Sequence, residues 1–339
     1  MKITTPLACQ EKTTGIVVMG ASAGGVSALM MLVSKLPPAF PWAILVVQHI
    51  GNHPSVLPKL LSSRGPLPAA HAQHEEPIMA GKIYVAPPDR HLLVEGGHIR
   101  LSKGPKEHFT RPAIDPLFLS AALAYGSRAV GVIVTGTLED GTAGLQAIKQ
   151  CGGVAVVQDP DDAQESEMPR SALKYVCVDH CVPISRMAGV LVSLTGRNPV
   201  NATIRTPEHL VHEQALALAQ GNPMDHLTAI AQPSTFVCPD CSGSLWQLKE
   251  SKPVRFRCHT GHAYTLKTLG HALAETANTA LWTAVRALQE QSLLLQAQIA
   301  AQRSAGEHAE AEHLESVMHS VVRQARSLRE LAEQQVDTS

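Results

Sequence analysis

Between Gly15 and about Leu194 the chain alternates short β-rich runs with segments of helical length, and few architectures accept that alternation. GIVVMG leads into GVSALMMLVSKL, AILVVQ into the helix-like PSVLPKLLSS, and AVGVIVTG into TAGLQAIKQCGG, with VAVVQD behind it. DPLFLSAALAYG is helical by spacing. The strand runs are apolar along their length, as strands covered on both faces must be. The order therefore predicts an α/β fold built on a doubly wound, mostly parallel sheet. KIYVAPP, HLLVEGG and HIRLSKG, broken by turn residues, are expected as hairpin additions. Hydrophobic residues make up 45% but aromatics only 4%, so Ala, Val and Leu must fill the core.

Three hundred and thirty-nine residues exceed one ordinary core. Residues 1–14 are expected as a flexible tail, 15–194 as the α/β domain and 195–235, polar and proline-containing, as a linker with one short helix near Leu210–Ala219. Residues 236–264 hold the last three cysteines as a small module, and 265–335 form a helical tail. In that tail Leu266, Leu269, Leu273, Leu281, Val285, Leu288, Leu295 and Ile299 keep helical spacing. Gly306 breaks it, and Leu314, Val321, Ala325, Leu328 and Leu331 resume it. A helical hairpin, a self-associating coiled coil or packing on the α/β domain would each bury the stripe. A polar linker implies weak coupling, so a chain ending after Leu194 is expected to fold alone.

Lys and Arg number 28 against 29 Asp and Glu, a net charge of −1, which excludes a nucleic-acid binder held by phosphate neutralisation. No apolar run approaches the roughly 18 residues of a membrane span. MKITTPLACQEKTT lacks the apolar stretch of a secretory leader, so a cytoplasmic protein without membrane insertion is expected. Seven cysteines, an odd number, argue against a disulfide scaffold, and Cys177 and Cys181 are expected as buried thiols.

The loop after the first strand reads Gly20-Ala21-Ser22-Ala23-Gly24-Gly25. A dinucleotide fingerprint would need glycine at Ser22, whereas G-x-S-x-G between strand and helix is the setting of a nucleophilic serine. The alternative is a plain Gly-rich turn or a helix cap. A hydroxyl needs a base. Among 17 histidines, His49 is singled out because it ends the second strand, on the same sheet edge as Ser22. A carboxylate ending another strand would orient it, and both Glu139 and Asp140 qualify.

Gly15 to about Leu194 closely resembles the catalytic domain of CheB-type chemotaxis protein-glutamate methylesterases, through GASAGG, QH, IYVAPPDRHL, RPAIDPLF, the TG…DG segment and MPRSAL in order. The resemblance implies Ser22 as nucleophile, His49 as base and Asp140, rather than Glu139, as the orienting acid. It implies hydrolysis of glutamate γ-methyl esters on chemoreceptors or related sensory proteins, with release of methanol, in some members deamidation of glutamine, and no catalytic cofactor. This chain departs from the pattern at Ala23, commonly Thr, and at Thr137-Leu138, commonly Met-Gly. Typical members begin with a phosphorylatable receiver, and a receiver-less form is expected here. The departures favour a second expectation, a catalytically weak scaffold that binds receptors or partner proteins. Arg111 is expected to pair with Asp115 or to dock an acidic receptor helix.

Cys238-Pro-Asp-Cys241 and Cys258-His-Thr-Gly-His262 together have zinc-ribbon spacing. Cys238, Cys241, Cys258 and His262 would close a tetrahedral structural zinc site, His259 being the less favoured fourth ligand. A redox role for C-x-x-C lacks its usual strand–helix context. A similar cysteine module followed by helices occurs downstream of some receiver-less methylesterase-like domains.

Overall fold

The computed structural model describes residues 13–50, 53–196 and 206–336. Residues 1–12 of the expected tail and 197–205 of the expected linker lie outside the described residues. In chain order the α/β region runs β1 (Ile16–Ala21), α1 (Gly25–Val33), β2 (Ala43–Gln48), α2 (Leu57–Arg64), β3 (Ala69–His71) and β4 (Ile83–Val85). It continues with β5 (His91–Glu95), β6 (His98–Ser102), α3 (Ile114–Tyr125), β7 (Ala129–Ile133), α4 (Thr142–Gln150), β8 (Val154–Gln158), α5 (Glu167–Tyr175), β9 (His180–Val182) and α6 (Ile184–Thr195). Beyond it come α7 (Glu208–Ala217), α8 (Pro223–Ile230), β10 (Ala231–Val237), β11 (Ser244–Leu248), β12 (Arg255–Cys258), β13 (Ala263–Thr265), α9 (Leu266–Ala305) and α10 (His308–Val336).

Seven parallel strands lie in the order β3-β4-β2-β1-β7-β8-β9. The expected parallel α/β sheet is therefore present. Of the runs expected as hairpins, HLLVE and HIRLS pair antiparallel as β5 and β6, while IYV joins the main sheet as β4. The sheet is covered on both faces, which explains the wholly apolar central strands. One core joins Val18, Leu45 and Ile133 to Leu117, Phe118, Leu145 and Ile148; the other joins Val17, Met19, Val46 and Val132 to Leu29, Leu32 and Leu191. The chain lays β2, β4 and β3 on one side of β1 and then returns to place β7 on the other. That reversal puts a topological switch point at the carboxyl ends of β1, β2 and β7, the place where open α/β sheets bind ligands.

The stretch expected as a linker is ordered where it is described. α7 and α8 pack on one another, Leu210 of α7 enters the core beneath α3, and Leu216, Leu227, Ile230 and Leu248 form a small core of their own. Polarity misled here because α7 buries a charge. Glu213 holds Arg255 of β12 in a two-pronged pair at 2.7 and 2.9 Å. Strands β10 to β13 form a four-stranded antiparallel sheet that docks on the α/β region through a second buried pair, Arg257 with Glu107 at 2.8 Å. Gln146 also donates to the Lys252 carbonyl. A cavity of about 20 Å³, large enough for one water, is lined by Arg255, Arg257, Asp115 and Glu107. Weak coupling is thus not what the structure has. Cys177 and Cys181 are exposed, not buried, because they flank and occupy the short edge strand β9.

The chain divides into two compact units, Met1–Leu269 and Gly270–Ser339. In the second, α9 and α10 meet at Gly306, whose φ of 82° is the left-handed turn that glycine takes without penalty. Val285, Leu295, Ile299, Ala311 and Val321 are buried, whereas Leu273, Leu293, Leu294 and Leu331 stay exposed. Two helices can cover only one side of each other. No described helix is long and apolar enough to cross a membrane.

Candidate active site and metal cluster

Three adjacent strands bring the expected site residues to one edge. β1 pairs with β2 so that Ala21 faces Gln48, and the His49 amide donates to the Ala21 carbonyl at 3.0 Å. Ser22 therefore emerges beside His49. On the other side its amide donates to the Thr135 carbonyl beyond β7, also at 3.0 Å. The turn is tight for identifiable reasons. A Cβ on Gly25 would lie 2.1 Å from Gln48 Oε1, and one on Gly136 would lie 2.8 Å from the Ser22 Cβ and 2.1 Å from the Met168 sulfur. Gln48 in turn donates to the Ser22 carbonyl at 2.7 Å. Ser22 is half-buried at the mouth of α1. The Ala23 and Gly24 amides there donate to no acceptor among the described residues, so they are free to meet a developing oxyanion.

The segment after β7 crosses over Ser22 and delivers Asp140 to His49, Nε2 to Oδ2 at 2.8 Å. With that nitrogen donating to the carboxylate, Nδ1 is left to accept a proton from a hydroxyl. Among the described residues the Ser22 hydroxyl itself makes no hydrogen bond. Serine–histidine contacts commonly tighten only when substrate is bound. Glu139 is half-buried and turned from this network, so Asp140 is the carboxylate that meets the imidazole.

Asp140 is buried, and the start of α3 holds it. The Ile114 amide donates to Oδ2 at 2.7 Å and the Asp115 amide to Oδ1 at 3.0 Å. Burial alone would raise its pKa. The bond from His49, the nearby His108 and the Ile114 amide outweigh it and carry the group down to about 2. Asp115 returns the arrangement, accepting from the Gly144 amide at the start of α4 at 2.6 Å and from His108 at 3.1 Å. Each carboxylate thus caps the other's helix. His108, Asp115 and Asp140 lie close enough to be read as metal ligands, but hydrogen bonds already occupy their facing atoms. Asp115 and His108 escaped sequence reasoning. The signal for Asp115 was the RPAIDPLF block; His108 carried none.

Arg111 does not pair with Asp115. Its guanidinium holds Asp89 at 2.6 and 2.9 Å and the carbonyls of Lys103 and Gly104 at 3.1 and 2.7 Å. Leu138 stands where the methylesterase pattern commonly has glycine, and its φ is +64°. Its amide donates to Glu167 at 2.7 Å, which holds the turn against the steric cost.

Cys238, Cys241, Cys258 and His262 converge, their ligand atoms all within 4.8 Å of one another. Cys241 and Cys258 sulfurs are 3.7 Å apart, and Cys258 Sγ lies 3.5 Å from His262 Nδ1. Tetrahedral zinc, with bonds of about 2.3 Å to sulfur and about 2.0 Å to nitrogen, has edges of about 3.8 and 3.5 Å. The donor set and its spacing fit such an ion. His259 is exposed and leans on Gly243 instead.

The sequence profile of CheB methylesterase matches residues 17–191. A Leptospira interrogans protein provisionally named protein-glutamate methylesterase/protein-glutamine glutaminase is 39% identical over 188 residues, which is 54% of this chain and 95% of that one. A protein-glutamate methylesterase/protein-glutamine glutaminase of Anaeromyxobacter dehalogenans is 40% identical over 181 residues, 53% of each chain, so only about half the length of that relative is spanned. The crystal structure of the Thermotoga maritima CheB methylesterase catalytic domain superposes with a TM-score of 0.51 at 34% identity. It covers 53% of this chain and 98% of that one. With the sheet order, the strand-end site and a profile match across the whole α/β region in agreement, the chain belongs to the CheB methylesterase family.

Proposed function

We propose that the chain is a serine hydrolase that removes γ-methyl esters from glutamates of a methylated chemoreceptor or related sensory protein, releasing methanol. The observation that carries this reading is the 2.8 Å pairing of His49 with a buried, anionic Asp140, one strand away from Ser22. Ser22 attacks the ester carbonyl while His49 Nδ1 takes its proton. The Ala23 and Gly24 amides receive the oxyanion, aided by the positive end of α1. His49 then protonates methoxide as the tetrahedral intermediate collapses, and deprotonates the water that frees the acyl-enzyme. The same site would deamidate glutamine with ammonia as the leaving group. No cofactor enters these steps.

The Cys238, Cys241, Cys258 and His262 cluster holds a structural zinc ion, and all four positions are taken by protein, which leaves none for substrate. The ion would tie β10–β11 to β12–β13. The exposed leucines of α9 and α10 support self-association through the helical tail. Leu138 in a glycine conformation favours a second reading, a receptor-binding scaffold of little activity. One measurement separates the two. Purified chain is mixed with receptor-bearing membranes carrying labelled methyl esters, and released methanol is counted against a Ser22→Ala control. Release that depends on Ser22 supports the hydrolase; none, from folded protein, leaves the scaffold.

A further inference from the structure

The turn that carries His108 is unusual. Glu107 and Thr110 close it through reciprocal backbone hydrogen bonds, and both central residues, His108 and Phe109, have positive φ values of 51° and 64°. Two successive non-glycine residues in the left-handed region are costly and persist only where the surroundings impose them. Here the surroundings are the four-stranded module and the first turn of α9. The His108 amide donates to the Ala263 carbonyl at 2.9 Å, and Phe109 sets its ring edge-on to Tyr264. Glu107 is paired with Arg257, and His108 Nδ1 lies 3.3 Å from the Thr268 hydroxyl. The other ring nitrogen reaches Asp115 at 3.1 Å. Asp115 and Asp140 are both buried, with the His108 imidazole placed against both.

We propose that His108, held by the C-terminal module, is a positioning residue for Asp140. It fixes Asp115 and offsets the paired carboxylates, so that the ends of α3 and α4 keep Asp140 aimed at His49. The module thereby completes the catalytic region from a distance of 160 residues in sequence. Burial opposes the charged imidazole, yet the bond to Asp115 and the field of Asp140 outweigh it and raise the His108 pKa, in keeping with this role. The inference rests on Asp140 being the triad acid, and its test is chosen to stand apart from ester turnover.

Full-length chain carrying His108→Leu, His108→Gln or Thr268→Val is compared with wild type by two readouts. One is hydrolysis of a small activated ester, with kcat and KM separated. The other is the far-downfield proton resonance of the imidazole N–H bonded to Asp140, identified by its loss in His49→Ala. General-base assistance is worth about 10²–10⁴-fold, so mispositioning should lower kcat about tenfold in His108→Leu and leave KM within about twofold. His108→Gln, which keeps a donor without the charge, should fall between. Thr268→Val, whose side chain touches neither carboxylate, should shift the resonance in the same direction and by less. If His108→Leu does not fold, the milder pair decides. Wild-type kcat and an unmoved resonance in both would overturn the proposal, as would absence of the resonance from wild type. A resonance that responds in a chain with no ester turnover sinks the hydrolase reading and leaves the linkage standing.

Discussion

Replacing Arg257 with methionine should destabilise the first unit as a whole rather than the small module alone. The Arg257 and Glu107 side chains are 3% and 6% exposed and stand 2.8 Å apart. Removing the cation strands a buried carboxylate and frees the Gly261 carbonyl that Arg257 also holds at 3.0 Å. Breaking a buried pair on one side costs about 3–5 kcal/mol. For roughly 250 cooperatively folded residues, an unfolding entropy near 2.1 cal/mol/K per residue converts this to a fall in Tm of about 6–9 °C. Adding Glu107→Met removes the stranded charge and should recover most of the loss, since apolar replacement of both partners is often near neutral. Calorimetry of the four proteins of this cycle gives the coupling, expected to exceed about 2 kcal/mol. Two outcomes would refute the reasoning: a single mutant within 1 kcal/mol of wild type, or a module that melts early while the α/β region keeps its Tm.

Ser22→Ala should abolish turnover and leave stability within about 1 kcal/mol, because a half-buried loop hydroxyl without a partner carries little fold energy; His49→Ala should be nearly as damaging to rate. Asp140 is held down to about 2 in the folded chain, so its contribution is present above the ordinary carboxylate pKa and is lost as pH falls through 2. Acid unfolding followed by circular dichroism between about pH 4 and 2 should therefore be less steep in Asp140→Asn than in wild type. Leu138→Gly should raise stability by about 1 kcal/mol by relieving the left-handed turn, with equal or higher ester turnover; a loss of stability would show that the Leu138 side chain matters more than its backbone. Elemental analysis should find one zinc per chain, retained in Ser22→Ala and lost in Cys241→Ser, and an equal metal content in all three proteins would place the ion elsewhere.

Local pattern carried much of this protein. Apolar runs of strand length placed the central strands, G-x-S-x-G between strand and helix singled out Ser22 as a candidate, and paired cysteine knuckles singled out four residues that converge as a candidate metal cluster. Each is visible because its information lies within a few neighbouring residues, in the period of hydrophobicity or in ligands supplied by one turn. What tertiary structure decided is of another kind. That the segment after β7 reaches His49 depends on the order β2-β1-β7, and no strand announces its neighbours; that Asp140 rather than Glu139 meets the imidazole depends on the local turn and the start of α3. Arg111 reached back to Asp89 rather than along its own segment to Asp115, whose carboxylate is taken by His108 and the Gly144 amide. α7 read as linker because its burial relies on Glu213 and Arg255, 42 residues apart, and two charges that bury each other look in sequence like two residues that seek water. His108 is the extreme case. Its partners Asp115 and Thr268 lie seven and 160 positions away, and only the assembled fold brings an ordinary histidine against two buried carboxylates.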